Sequence, residues 1–79
     1  MNKGSQARHT ETLARDERVY DVIRYMVKMF PGYSPCAADI RVRTQLSAGT
    51  VRHALQRLRR QGRILCADGD GWTVAPDQP

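Results

Sequence analysis

Residues 47–62 read SAGTVRHALQRLRRQG, and this stretch decides the fold. Val51, Ala54, Leu55 and Leu58 recur at the three- and four-residue spacing of one helix face. Ser47 supplies an N-cap, because its hydroxyl accepts from the backbone N–H of residue 49 or 50. Gly62 supplies the end, a residue that takes positive φ without steric cost. On a helical wheel Gly49, His53, Gln56 and Arg60 fall opposite the apolar stripe, with Arg52 and Arg57 on its flanks.

Working outward toward the N-terminus, Thr44-Gln45-Leu46 reads as a tight turn, and before it lies a short helix. Ser34-Pro35 gives that helix a start, with Ser as cap and Pro in the first turn, and it is expected to run to about Arg43. Further upstream Val19, Val22, Ile23, Met26, Val27 and Phe30 form another helical stripe, closed by Pro31-Gly32. Leu13 and Tyr20 extend that stripe, and Thr10, Thr12 or Asp16 are its candidate caps.

Past Gly62 the period changes to two. Residues 64–67 (ILCA) and 72–75 (WTVA) are strand-like and flank Asp68-Gly69-Asp70-Gly71, whose Asp-Gly steps favour a hairpin turn. The expected architecture is α+β, mainly α: three helices plus a C-terminal two-stranded hairpin, the layout of a winged helix-turn-helix. The expected divisions are a disordered basic arm over 1–10, the domain over 11–76 and a tail over 77–79.

Seventy-nine residues make one small domain with a modest core. Only five are aromatic, so the core must rest on aliphatic side chains and Met. The net charge is +5, and its distribution is informative. Residues 1–40 hold six Lys/Arg against five Asp/Glu, whereas residues 41–63 hold seven Arg and no acid. A segment of that kind favours an anionic partner, and the planar guanidinium fork suits phosphate and guanine edges.

Cys36 and Cys66 lie far apart in sequence, outside metal-ligand spacing with either His, and read as free thiols; no metal and no cofactor are expected. No apolar run is long enough to span a membrane, and no signal peptide follows Lys3 and Arg8, so the expected location is the cytoplasm, in association with the nucleoid. No carboxylate pair, Cys-His couple or glycine-rich phosphate loop supports catalysis, so the chain is not read as an enzyme.

The run Ser47-Ala48-Gly49-Thr50-Val51-Arg52-His53-Ala54-Leu55-Gln56-Arg57-Leu58, with Gly62 and Ile64, resembles the recognition helix of GntR-family transcriptional regulators. Gly71-Trp72-Thr73-Val74 resembles the return strand of their wing, and the likeness covers about residues 17–75. The resemblance implies a winged helix-turn-helix that binds pseudo-palindromic operators as a homodimer, with Thr50 and Arg52 at DNA-contacting positions. Ala38 and Ala48 stand where the family carries Arg, and nothing in the sequence resembles the family's effector domain. Small phage or plasmid regulators are the better parallel in length.

The expected function is therefore sequence-specific binding of double-stranded DNA by a small regulator, a repressor of phage, plasmid or bacterial genes. The expected contacts are Ser47, Gly49, Thr50, Arg52, His53, Gln56, Arg57, Arg60, Arg41, Arg43 and Arg63. Arg52 suits guanine, Gln56 suits adenine, and Ser47 and Thr50 suit phosphate at the helix N-terminus. Pairing of two copies is expected through the first helix or the N-terminal arm. The acidic wing, with Asp68 and Asp70, favours an alternative in which the winged helix contacts a host protein as adaptor or inhibitor.

Overall fold

In the computed structural model, which describes residues 3–67 and 69–76, three helices are followed by a two-stranded antiparallel sheet. The helices are α1 (Lys3–Met29), α2 (Ala37–Thr44) and α3 (Ala48–Arg60), and the strands are β1 (Ile64–Cys66) and β2 (Trp72–Val74). This is the α+β layout of a winged helix-turn-helix, with the hairpin as the wing.

The core is one cluster. Val19 and Ile23 of α1, Ile40 of α2, Val51, Ala54, Leu55 and Leu58 of α3, and Ile64 of β1 are all buried. Burying a Val, Leu or Ile side chain contributes about 1.5–3 kcal/mol, so this stripe-to-stripe contact supplies most of the drive to fold. Tyr20, Val22, Val27, Trp72 and Val74 pack around its edge.

Helix α1 begins at Lys3, ahead of the start expected at residue 11, so backbone expected as a disordered arm is helical. Gln6 to Arg18 contains no Gly or Pro, and nothing in it interrupts the ladder. None of the three cap candidates therefore starts the helix. From residue 11 on, the first buried side chain of the helix is Asp16, and residues 11–15 are mostly exposed, with an i,i+4 ion pair between Arg15 and Glu11 at 3.7 Å. Met26 is buried as expected, but Phe30 is 47% exposed and Leu13 49%, so neither extends the core stripe. The expected tail at 77–79 lies outside the described residues.

Helix α2 starts later than Ser34-Pro35 suggested. Its N-cap is Cys36, whose N–H donates to Asp39 Oδ2 at 3.1 Å. The cause is tertiary: the Trp72 N–H donates to the Pro35 carbonyl at 2.8 Å, so the strand β2 holds residue 35 in place as an extended neighbour. Gly71 makes that approach possible, since a Cβ there would lie 2.6 Å from the Ser34 carbonyl oxygen.

The turn between α2 and α3 is held by polar contacts. Thr44, 2% exposed, donates its hydroxyl to the Ile40 carbonyl at 2.8 Å and accepts from the Leu46 N–H. Gln45 takes φ 60°, and its N–H reaches the Arg41 carbonyl at 2.7 Å. Arg18 of α1 donates to the Thr44 carbonyl at 2.8 Å, placing a cation at the negative end of α2.

Helix α3 follows its sequence signals closely. Ser47 Oγ accepts from the Thr50 N–H at 3.2 Å. At the other end the Arg63 N–H reaches the Leu58 carbonyl and the Gly62 N–H the Arg59 carbonyl, each at 3.0 Å, with Gly62 at φ 74°. That pair of bonds is a Schellman closure, and it turns the chain directly into β1. The strands pair as Ile64 with Val74, Leu65 with Thr73 and Cys66 with Trp72.

Candidate nucleic-acid interface

The stripe that buries α3 against α1 and α2 fixes what its other face shows to solvent. Arg52, His53, Gln56, Arg59 and Arg60 are exposed, while Gly49 and Thr50, in the first turn, are half-buried. Among the described residues no carboxylate lies within ion-pairing distance of Arg52, Arg59 or Arg60. Their guanidinium groups therefore face water with their donors uncommitted to protein carboxylates. The small side at Gly49 has open space around its Cα, so another backbone can approach the helix start closely.

Arg59 was not among the expected contacts. It sits seven residues after Arg52, hence on the same edge of the helix, about 10 Å further along the axis. Together with Gln56 it lines a groove of about 540 Å³ between α3 and the wing. Trp72, Leu55, Ala37 and Ala48 give that groove an apolar floor, and Asp70 and Cys66 stand on the wing side. The signal was in the sequence: the wheel position of Arg59 lies beside that of Arg52, but also near the apolar flank, which hid it.

Two of the expected contacts, Arg57 and Arg63, are engaged within the chain. Arg57 is not a free cation on the outer face. Its Nε and Nη2 each donate at 2.8 Å to the carboxylate of Asp16, which is only 3% exposed. The hydrogen bonds to Asp16 raise the Arg57 pKa above its ordinary value, so the guanidinium charge is fixed. Arg63 is likewise engaged: it forms a two-pronged ion pair with Glu17 and lies 4.0 Å above the Tyr20 ring centroid. The bond from Arg63 holds the Glu17 carboxyl below its usual range. The adjacent acids Asp16 and Glu17 thus engage two of the seven arginines in the acid-free segment, Arg57 of α3 and Arg63 just before β1.

The remaining expected residues are distributed around this ridge. Ser47 is exposed, and its hydroxyl serves as the α3 cap and donates to Thr50 Oγ1 at 2.8 Å. Arg41 is exposed on α2, in the last turn before the helix-turn-helix corner. Arg43 is exposed too, but it lies 5.5 Å from the Tyr25 ring centroid and lines a hollow with Met26, Phe30 and Tyr33, away from α3. The structure brings together Gly49, Arg52, His53, Gln56 and Arg60, joins Arg59 to them, and separates Arg43, Arg57 and Arg63.

The cysteines are free thiols, Cys36 half-buried at the α2 cap and Cys66 exposed on β1. No helix is long and apolar enough to cross a membrane among the described residues. No protein family matches the chain, and neither a curated protein nor a solved structure is significantly similar to it.

Proposed function

We propose that this protein binds double-stranded DNA in a sequence-specific manner, as a small transcriptional regulator of the repressor kind, with the outer face of α3 in the major groove. The observation that carries the reading is the row Arg52, Gln56, Arg59 and Arg60, exposed and without protein carboxylate partners among the described residues. A helix of about 10–12 Å diameter fits the major groove, and Arg and Gln on its outer face have donors suited to guanine and adenine edges. The resemblance of residues 47–58 to GntR-family recognition helices supports the same assignment, as does the winged-helix layout. Under this reading the protein acts in the cytoplasm on the nucleoid and binds as a homodimer, since one module of this size covers too few base pairs for high specificity.

Electrophoretic mobility shift against genomic fragments tests the proposal. Binding should weaken steeply with salt, and Arg59→Ala should lower the slope of log K against log salt by about one if Arg59 neutralises one phosphate. Arg52→Ala should weaken the preferred site more than random duplex if it reads a base. Absence of salt-sensitive binding to any duplex defeats the proposal.

The wing favours a second reading. Asp70 is exposed on the wall opposite Arg52 and Arg59, where a carboxylate repels phosphate. In this reading the domain docks on a host protein as adaptor or inhibitor. A partner retained from nuclease-treated lysate, with no duplex binding, distinguishes it.

A further inference from the structure

Opposite charges line the groove between α3 and the wing without meeting. Arg52 and Arg59 belong to its helix side and Asp70 to its wing side, and all three are exposed. Among the described residues no ion pair joins Asp70 to either arginine or to any other cation. The wing side is fixed at its root. Through the two residues that follow Asp70 it is anchored to the stretch before α2: Gly71 sits against Ser34, and the Trp72 N–H donates to the Pro35 carbonyl at 2.8 Å. Arg60 stands outside this groove, in an adjoining hollow with Gln56 and Arg59, and Asp68 lies outside the described residues.

Between the charged sides the floor is apolar. It includes Leu55 of the core and the half-buried Trp72, the only tryptophan of the chain. A volume of about 540 Å³ is that of a small-molecule site. The groove offers three chemistries at once. Guanidinium forks pair with phosphate in two-pronged fashion, an indole and aliphatic surface takes a flat ring, and an ionised carboxylate only accepts hydrogen bonds. An inorganic anion leaves the floor uncovered, and a simple aromatic acid brings Asp70 no donor. A nucleotide whose base carries an exocyclic amine answers all three, with its phosphate at Arg52 and Arg59, its base on the floor and its amine toward Asp70.

We infer that this groove binds a free mononucleotide with an amine-bearing base, and that its occupation withdraws Arg52 and Arg59 from DNA. Two arginines favour a phosphate dianion over a single carboxylate, which sets nucleotides ahead of amino acids of similar shape. A duplex and a nucleotide compete for the same guanidinium groups, so each displaces the other. Only this regulatory half rests on the reading of α3 as a DNA-contacting helix; the site itself is read without DNA.

Trp72 fluorescence of the full chain tests the site directly, because no other residue is a tryptophan. AMP, CMP or GMP, added without DNA, should change it saturably. Adenosine, which lacks the phosphate, and purine ribonucleoside monophosphate, which lacks the amine, should each bind about tenfold or more weakly than AMP, the contribution of one charge-assisted hydrogen bond. Arg59→Ala should weaken AMP by a similar factor, and Asp70→Ala should erase the preference for the amine. Arg15→Ala, at an exposed arginine of α1, should change neither. Amide NMR shifts on adding AMP should cluster at Arg52, Arg59, Asp70 and Trp72, a readout that needs no variant. In a mobility shift AMP should release the duplex, and a duplex retained under saturating AMP overturns the regulatory half. The site is overturned by no saturable response to any of the three nucleotides, by equal affinity with and without the amine, or by phenylalanine binding more tightly than AMP. A chain that binds AMP but no duplex keeps the site and defeats the DNA reading; one that binds duplex but no nucleotide does the reverse.

Discussion

Arg57 and Asp16 stand 41 positions apart in the chain and are joined by two hydrogen bonds of 2.8 Å, which tie the middle of α1 to the last turns of α3. The guanidinium edge matches the carboxylate in a two-pronged geometry, and the carboxylate end is buried while the Arg side chain is 37% exposed. This contact sets how α3 sits on the core, and so where its outer face points.

Removing either partner should be costly in a way that restoring apolar contact is not. Arg57→Ala leaves Asp16 buried without its cation and should destabilise the fold by about 2–4 kcal/mol. Asp16→Ala with Arg57→Ala together should cost less than the sum of the single changes, as partners in one network do. Urea unfolding followed by circular dichroism measures both. Duplex binding by the folded Arg57→Ala fraction should keep its salt slope, in contrast to Arg59→Ala.

Gln45 holds the corner between α2 and α3 at φ 60°, where side chains with a Cβ are strained by roughly 1–2 kcal/mol. Gln45→Gly relieves that strain but loosens the unfolded chain, by about 0.4–1 kcal/mol. The expected net is neutral to about 1.6 kcal/mol stabilising. Gln45→Val should destabilise, because a β-branched residue resists this region most. Thermal melts of the three proteins rank them, and a Gly variant clearly less stable than the parent contradicts the account.

Two carboxyls titrate below their ordinary values for identifiable reasons. Asp39 is held down first by the hydrogen bond from Tyr33 and then by the Cys36 N–H, and Glu17 first by the bond from Arg63. Because the folded values lie below the unfolded ones, both groups stabilise the fold above the unfolded values of about 4 to 4.5 and lose that contribution as pH falls through the folded values. Stability from these two groups should therefore be flat from neutral pH to about pH 5 and decline below it. Asp39→Asn should flatten part of the acid limb in urea midpoints. The same hydrogen bond raises the Tyr33 phenol above its ordinary value, so its ionisation should appear later than that of a free tyrosine in an ultraviolet titration.

Much of the fold was legible because its signals are local. The Ser47 cap, the Gly62 closure and the Val51–Leu58 stripe each act within a few residues and each has its counterpart in the structure, and the hairpin expected from the composition of 64–75 is present as the paired strands β1 and β2. The start of α2 was not legible, because Trp72, far along the chain, decides the conformation at Pro35. The candidate interface was legible to the extent that the wheel separates α3 into faces. His53, Gln56 and Arg60, expected on the outer face, and Arg52, expected on its flank, are all exposed. The engagement of Arg57 was not legible because a wheel contains no partner helix, and that of Arg63, beyond the helix, because Glu17 lies 46 positions upstream. Phe30 continued the apolar period of α1 while the core had already ended at Met26.

The bond from the Trp72 N–H to the Pro35 carbonyl ties the wing to the stretch before α2, with Gly71 seated against Ser34. Lengthening the hairpin is therefore an unequal proposition along its course. Extra residues at Gly69 and Asp70 would extend a free tip and change what it reaches, whereas an insertion nearer Trp72 would unseat the helix-turn-helix itself.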